Sequence, residues 1–428
     1  MSEIYFLKGN EDKLDKSKSE KEQLEIIKTE LTKVFDTKSL SFLLGSGCSS
    51  LIDDSTDEEI GIPTMRPLAE EFFDPSKKGN SLSEEDINFL KTGICLDIDL
   101  DEYKFNLEKF LEAIQSLNFY ASKTTFPERP ADQVEVIDKY IGIINQRLPS
   151  ILLKTKLFIL EKCLNEKNRE KDTELIATYE SFYRKLLYRN SNLPKPNIFT
   201  TNYDLYSEQA LDNLGIHYFN GFSGGINKFF NPTIFNFALA ERMDLSQNKW
   251  NVIDNFIYLY KIHGSVNWME DKSINNKIFK IREIQNPTFD ILKDKETLMI
   301  YPTPIKQNAS LGTPYSDLFR EFQKKLMQNN NVLVSIGYSF GDEHINNLIF
   351  QAFTIPSFRL IVFIDKLSSL AKKILDLNDP RIWIIGGKME NEKKLHYFKN
   401  ITTLLLPDSS NEEIDVKIEN AIKNLLNK

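Results

Sequence analysis

The chain has 428 residues, enough to bury a large core in one domain or in two. Its composition, with 41% hydrophobic and 27% charged residues, is that of a folded globular protein rather than a disordered or fibrous one. A net charge of −8 excludes a global electrostatic attraction to nucleic acid, although a local basic patch or backbone N–H groups can still bind an anion.

Cysteine usage and the N-terminal sequence bear on metal sites and on location. The three cysteines, Cys48, Cys95 and Cys163, show no CxxC spacing, so we expect neither a zinc site nor a disulfide framework. Residues 1–23 are too charged for a secretory signal, and no apolar run reaches the roughly 18 residues that a membrane span needs. We therefore expect a cytoplasmic protein with no membrane partner and no direct nucleic-acid site.

Residues 1–38 predict an N-terminal helical arm. Their first part is rich in lysine and glutamate, and Leu24, Ile27, Leu31 and Val34 then recur at helical spacing. We expect this helix to dock on the body of the protein.

The segment LSFLLGSGCSS, residues 40–50, is typical of a buried strand that runs into a tight loop. Gly45 and Gly47 would let the backbone approach a phosphate, with Ser46 and Ser49 beside them and the N–H groups of a following helix facing its charge. The third glycine of GxGxxG is missing, so an ordinary glycine turn is an equal alternative.

The segment GIPTMR, residues 61–66, places Arg66 where it could contact a phosphate with two N–H groups. A solvated surface arginine is the alternative. Residues 74–194 then carry amphipathic stripes, over residues 107–117 and 175–186, and predict a large helical insertion.

Six short apolar runs follow, each ending in Gly, Asp, Asn or Pro, and several lead into a helical pattern. Apolar strands that alternate with helices are typical of a parallel sheet covered on both faces. The predicted fold class is therefore α/β, a Rossmann-like doubly wound parallel sheet, closed by a C-terminal helical segment at residues 391–428. The six runs are NIFTTNYD, IYLYKIHGSVNW, LMIYPTP, NVLVSIGYSFGD, RLIVFID and RIWIIGG.

In such a sheet a ligand binds outside the carboxyl ends of the strands, so the residues after these runs are the site candidates. Thr201, Asn202 and Asp204 follow the first run, where an amide can orient a water or a ribose hydroxyl; an Asx turn or helix cap is the alternative. His263 follows the second run and suits general-base work at neutral pH, or a purely structural hydrogen bond.

Two more strand ends complete the set. Gly337 and Ser339 follow NVLVSI, where Ser339 could bind a ribose hydroxyl or a phosphate, while Asp342 is predicted as a helix cap and His344 as a structural residue. Asp365 ends RLIVFID, where an acidic residue would hold an adenosine ribose; a turn aspartate is the alternative.

Taken in order, these segments resemble the sirtuin-like (Sir2-type) superfamily. Residues 45–49 are similar to its GAGxS loop, residues 61–66 to its GIPDFR segment, and residues 200–204 to its TQNID segment. His263 and Gly264 are similar to its catalytic HG, and residues 337–339 to its GTS ribose loop. Each match is weak alone, but five in the right order are jointly specific.

The resemblance is clearest over residues 39–73 and 195–390, which it implies to be one NAD-binding domain. Thr64 and Met65 replace the usual Asp-Phe, and the zinc module of protein deacylases, with its four cysteines, is missing. The segments TTNYD and GYSFGDEH are similar instead to variants in bacterial Sir2-type NAD hydrolases of anti-phage defence systems.

This resemblance implies an enzyme that cleaves NAD into nicotinamide and ADP-ribose when triggered, with NAD as substrate and no further cofactor. The pyrophosphate would lie on residues 45–49, the adenosine near Ser339 and Asp365, and the nicotinamide ribose between Asn202 and His263. Asn202 would position the attacking water, His263 would take a proton, and Asp204 would hold the nicotinamide pocket.

The same resemblance implies assembly, either as a homo-oligomer or with a HerA-type ATPase or an Argonaute-type partner. Three other functions stay open at this point. They are a sensor that binds NAD or ADP-ribose without turnover, a scaffold for a DNA-translocating ATPase, and a sirtuin-type deacylase, which the missing zinc module disfavours.

Overall fold

The computed structural model describes most of the chain between residues 3 and 407. The described residues are 3–52, 59–77, 79–123, 131–166, 172–187, 189, 193–244, 249–253, 255–271, 280–295, 297–299, 312–366 and 369–407. The helix predicted within residues 411–428, and the LMIYPTP run beyond residue 299, lie outside this set.

Strands and helices alternate along much of the described chain, as in α/β proteins. The strands are β1 Tyr5–Lys8, β2 Glu11–Asp12, β3 Ser39–Leu44, β4 Ser50–Ile52, β5 Glu59–Gly61, β6 Asn197–Thr200, β7 His217–Phe219, β8 Phe222–Ser223, β9 Lys228–Phe230, β10 Ala240–Asp244, β11 Lys249–Val252, β12 Phe256–Lys261, β13 Gly264–Glu270, β14 Ile281–Glu283, β15 Thr297–Met299, β16 Asn331–Ile336, β17 Arg359–Phe363 and β18 Ile382–Gly386. The helices are α1 Glu20–Phe35, α2 Met65–Phe72, α3 Glu84–Asn88, α4 Asp101–Lys104, α5 Leu107–Lys123, α6 Ala131–Leu164, α7 Thr173–Leu187, α8 Tyr206–Asn213, α9 Phe289–Leu292, α10 Tyr315–Leu326, α11 Glu343–Ala352, α12 Ser369–Leu375 and α13 Phe398–Asn400.

A nine-stranded sheet forms the centre of the fold, in the order β2-β1-β18-β17-β16-β3-β6-β12-β7. The strands from β18 to β7 all pair in parallel. Alternate residues of β3 enter different cores, Phe42 on one face of the sheet and Leu43 on the other, which is why this run is apolar throughout. The predicted α/β class and the largely parallel sheet are confirmed.

The N-terminal segment adds the antiparallel edge of this sheet. β1 pairs with β18 in an antiparallel register, and the Tyr5 hydroxyl donates to the carbonyl of Ile364 at 2.6 Å. Within residues 1–38, predicted as a helical arm, Glu20–Phe35 form helix α1 and Tyr5–Lys8 form a strand. A four-residue strand is stabilised by the partner strand it pairs with, which no local pattern reveals.

The helices between β5 and β6 fall into two groups by their packing. Helices α2, α5 and α6 share a core of their own that includes Phe72, Phe110 and Phe158. Helix α7, although predicted within the same insertion at residues 74–194, packs instead through Tyr179 and Phe182 in the core of the main sheet. One part of the predicted insertion therefore belongs to the body of the protein by packing.

A smaller five-stranded sheet, β15-β13-β14-β9-β8, packs beside the main one through Trp268 and Phe230. Its strands are short, and the sequence predicted no separate sheet here. Within the described part of the chain, no helix combines the length and the apolar character needed to cross a membrane.

Candidate active site

A cleft of about 1130 Å³ opens at the carboxyl ends of β3, β6, β12 and β16. β3 lies between β6 and β16, so the chain winds outward in both directions from this point of the sheet. Ligands of open α/β sheets bind where the winding reverses in this way. The sequence-predicted residues that line the cleft are Ser46, Ser49, Arg66, Thr201, Asn202, Asp204, His263 and Ser339.

The Asn202 side chain is fixed by two hydrogen bonds directly after β6. Its Nδ2 donates to the carbonyl of Gly45 at 2.9 Å and to the Ser49 hydroxyl at 2.8 Å. Because a carbonyl oxygen can only accept, the contact with Gly45 identifies which amide atom is the nitrogen. Both amide hydrogens are thus used by the protein, and Oδ1 is the atom that can accept a hydrogen bond from a ligand.

Asp204 continues this network behind Asn202. The Ser49 hydroxyl donates to Asp204 Oδ2 at 2.6 Å, and the backbone N–H of Tyr206 donates to Asp204 Oδ1 at 3.1 Å. Burial raises the pKa of this carboxyl, and the charge of Lys261 and the bond from Ser49 oppose the rise. The bond from the Tyr206 N–H to Asp204 forms the Asx turn that the sequence offered as an alternative. Asp204 therefore takes part in both the turn and the network.

A buried ion pair lies beneath the loop that carries Asn202. Lys261 is only 1% exposed, and its Nζ lies 2.9 Å from Oε1 of Glu208. The same ammonium donates to the backbone carbonyl of Asp204. Burial raises the pKa of Glu208, and Lys261 counteracts the rise. The sequence analysis missed this pair, although a lysine at the end of an apolar strand must find a partner when it is buried.

The side chains of His263 and Asp342, which both line the cleft, are in contact. The distance from His263 Nε2 to Asp342 Oδ2 is 3.0 Å, and both side chains are 10% exposed. Asp342 also caps helix α11, because its Oδ1 accepts from the N–H of His344 at 2.9 Å. The predicted cap is confirmed. The contact with the histidine was missed because the two residues come from different strand ends.

The glycines of the first loop allow a close approach between two loops. A Cβ on Gly45 would lie 2.4 Å from Cα of Tyr338, and one on Gly47 would lie 2.9 Å from Cα of Gly337. These glycines let two loops pack together at the floor of the cleft. The next elements are a short 3-10 turn, Ser46–Cys48, and then β4, so the expected phosphate-binding helix N-terminus after this loop was wrong.

Asp365 stands apart from the cleft. It follows β17, which is two strands away from β3, and is not among the described residues that line the cleft. Its Oδ2 lies 3.9 Å from Nζ of Lys394, and its side chain is part exposed. The predicted contact with an adenosine ribose therefore finds no support in its position.

The opposite wall of the cleft is helical and includes Arg66. The Arg66 Nε lies 3.1 Å from Oε1 of Glu70, and its guanidinium carbon lies 4.1 Å from the ring centre of Phe105. Arg66 and Phe105 also line a second cavity of about 480 Å³. The first turn of α5 follows directly, capped by Asn106, whose Oδ1 accepts from the N–H of Glu108 at 3.0 Å. The sequence assigned no site role to residues 105–112.

The cleft residues Asn202, His263 and Asp342 lie within residues 196–356 of the sequence. Residues 196–356 match the SIR2-like domain. The match, which covers less than half of the chain, supports a Sir2-type family and a NAD-related activity. A comparison with curated proteins finds no match. The first glycine loop lies outside the matched stretch, but it joins the SIR2-like domain through the hydrogen bond between Asn202 and Gly45.

Proposed function

We propose that this protein is a NAD glycohydrolase, which cleaves NAD into nicotinamide and ADP-ribose. The observation that carries the proposal is the position of Asn202 and His263 on one cleft wall, at the ends of the neighbouring parallel strands β6 and β12. Both residues lie within the SIR2-like stretch. No acyl-lysine substrate is needed for this reaction, since water is the acceptor.

The reaction breaks the bond between ribose C1′ and the nicotinamide nitrogen. The bonding electron pair leaves with nicotinamide, and the ribose carbon becomes electron-poor. A water oxygen then bonds to C1′ and the water loses a proton. In our proposal Oδ1 of Asn202 accepts a hydrogen bond from that water and orients it, and His263 takes the proton and returns it to solvent.

The network around Asn202 supports this assignment. Because Gly45 and Ser49 hold both amide hydrogens, the oxygen points in one direction before any ligand arrives. Such preorganisation lowers the entropic cost of reaching the reactive arrangement. Asp204, fixed by Ser49 and close to Asn202 in sequence and space, is the residue that we place at the nicotinamide pocket.

We place this activity in anti-phage defence, on the resemblance of TTNYD and GYSFGDEH to segments of defence-associated NAD hydrolases. An enzyme that depletes a central cofactor must stay inactive until it is triggered. We therefore propose activation by self-assembly or by a partner such as a HerA-type ATPase or an Argonaute-type protein.

The test is nicotinamide release from NAD, measured by chromatography with purified protein and in cells with and without phage infection. Wild type should release nicotinamide, and Asn202→Ala and His263→Ala should each slow release about 100-fold or more, the usual contribution of a positioned acid or base. Asn213→Ala and His217→Ala, which change exposed residues outside the cleft, should leave the rate unchanged.

Two results would contradict the proposal. Equal rates in wild type and in both cleft variants would remove Asn202 and His263 from the chemistry. Binding of NAD in a calorimeter without nicotinamide release under any of these conditions would make the protein a NAD sensor instead.

A further inference from the structure

The two carboxylate oxygens of Asp342 have different partners. Oδ1 accepts from the backbone N–H of His344 at 2.9 Å and of Ile345 at 3.4 Å, which caps the ten-residue helix α11. Oδ2 lies 3.0 Å from Nε2 of His263. The cap bonds therefore hold the carboxylate in the orientation that presents its second oxygen to the imidazole.

The loop before the cap is held just as firmly. The Tyr338 hydroxyl lies 3.3 Å from the Asp342 carbonyl and 3.1 Å from Oδ1 of Asn346. Nδ2 of Asn346 donates to the carbonyl of Phe340 at 2.6 Å, and Phe340 has a positive φ of 55°. A loop with this many internal bonds gives Asp342 little freedom to turn away from His263.

We infer that Asp342 is a positioning residue that orients His263 for the hydrolysis of NAD and decides which imidazole nitrogen receives the proton. The link to hydrolysis rests on the proposed function; the contact between the two side chains does not. Because the carboxylate would repel a lone pair on Nε2 at a distance of 3.0 Å, Nε2 carries the hydrogen of the neutral ring and the lone pair is on Nδ1. The proton released by the attacking water moves to Nδ1, and the carboxylate stabilises the resulting imidazolium until the proton passes to solvent.

Other titratable groups surround this pair. The Tyr203 ring lies 6.4 Å from the His263 ring between centres, and Glu343 and His344 line the same cleft. Lys261, on the strand before His263, is paired with Glu208. Asp342 is the carboxylate in contact with the imidazole, so its charge should dominate the protonation of His263.

Substitutions at Asp342 can separate the cap from the contact with His263. Asparagine and serine are both good caps, so Asp342→Asn and Asp342→Ser should unfold at the wild-type temperature, whereas Asp342→Ala should unfold earlier. In the asparagine variant the neutral Nδ2 group would face the ring in place of the negative Oδ2 atom, and serine is too short to reach the ring. Both variants should therefore slow nicotinamide release about 100-fold. Asp376→Asn, at an exposed position outside the cleft, is the matched control.

Asp342→Glu is the conservative variant, since it keeps the negative charge near His263. It should recover part of the rate that Asp342→Asn loses. A purely structural role for Asp342 predicts the opposite order, because asparagine is the better cap of the two.

A second measurement does not depend on turnover. The chain has four histidines, so the His263 ring can be assigned by NMR with the variant His263→Gln and titrated with pH. Loss of the negative partner in Asp342→Asn should lower the pKa of His263. Since the neutral ring is the base, the acid limb of the pH–rate profile should move to lower pH in the same variant.

The outcomes separate the two proposals. An unchanged His263 titration, or a wild-type rate in Asp342→Asn, overturns the role of Asp342. A shifted titration in a protein whose wild type never releases nicotinamide overturns the NAD hydrolase and upholds Asp342 as the residue that orients His263.

Discussion

The two walls of the cleft differ in the burial of their polar side chains and in the exposure of their ion pairs. The sheet wall comprises the buried residues Ser49, Asn202, Asp204 and His263 and the part-exposed Asp342. Its side chains make contacts of 2.6–3.0 Å at the ends of parallel strands. The helical wall, comprising Arg66 and residues 105–112, carries solvent-exposed ion pairs and rests on a hydrophobic core separate from those of the sheet. The sheet wall is thus suited to holding reacting groups in fixed positions, and the helical wall to binding a ligand with side chains that can adjust.

The largest expected contrast concerns stability. Lys261→Met leaves Glu208 buried without its partner and should lower the free energy of unfolding by about 3–5 kcal/mol. Lys109→Met breaks the pair between Lys109, whose side chain is 51% exposed, and Glu112 on the helical wall, and should cost under about 1 kcal/mol. Urea denaturation measures both values.

The double variant Lys261→Met/Glu208→Leu sharpens this comparison. Two apolar side chains replace the buried pair, so part of the lost stability should return. Similar losses of unfolding free energy in Lys261→Met and Lys109→Met would show that the ion pairs of the two walls do not differ in their contribution to stability.

The next effect is catalytic and confined to the sheet wall. Ser49→Ala removes the hydroxyl that links Asn202 to Asp204 in a buried network, a loss of about 1–3 kcal/mol, or roughly 5- to 150-fold in kcat for nicotinamide release. Ser50→Ala, which changes the next residue and its contact with Glu59, is the matched control and should keep the wild-type rate. Equal rates for the two variants would contradict a catalytic network.

The smallest effect falls on the helical wall. Arg66→Ala removes a side chain that is 67% exposed, together with its ion pair to Glu70 and its stacking on Phe105. KM for NAD should therefore rise about two- to fivefold, with kcat unchanged. Arg320, whose side chain is 69% exposed, pairs with Asp317 and does not line the cleft, so Arg320→Ala should change neither constant. A fall in kcat for Arg66→Ala would place chemistry on the helical wall as well.

Sequence patterns predicted the parts of the fold that local chemistry determines. The apolar runs of β3, β6, β12, β16, β17 and β18 marked buried parallel strands, and Asp342 marked the start of α11. The strand Tyr5–Lys8 and the smaller sheet escaped prediction, because short strands acquire their stability from distant partners. Helix α7 was placed with the wrong group for a related reason, since an amphipathic stripe shows which face is buried but not against what.

For the site, the rule that ligands gather at strand ends predicted Ser49, Asn202, Asp204 and His263 of the sheet wall as site residues, whereas Asp342 was predicted only as a helix cap. The partners of those residues were not predictable. Asp342 beside His263, and Glu208 beneath Lys261, are contacts across the tertiary structure. Gly45 illustrates the same limit, because the pattern of its loop does not reveal that its backbone packs against Tyr338.

The floor of the cleft also has a consequence for the order in which the protein takes shape during synthesis. The thiol of Cys48, beside the first glycine loop, lies 3.3 Å from the carbonyl of Ile336, which is 288 positions later in the chain. At roughly 5–20 residues per second, a ribosome adds Ile336 about 15–60 s after Cys48. Until Ile336 has been added, the first loop lacks the strand end that it packs against. A growing chain on the ribosome therefore cannot contain the finished cleft.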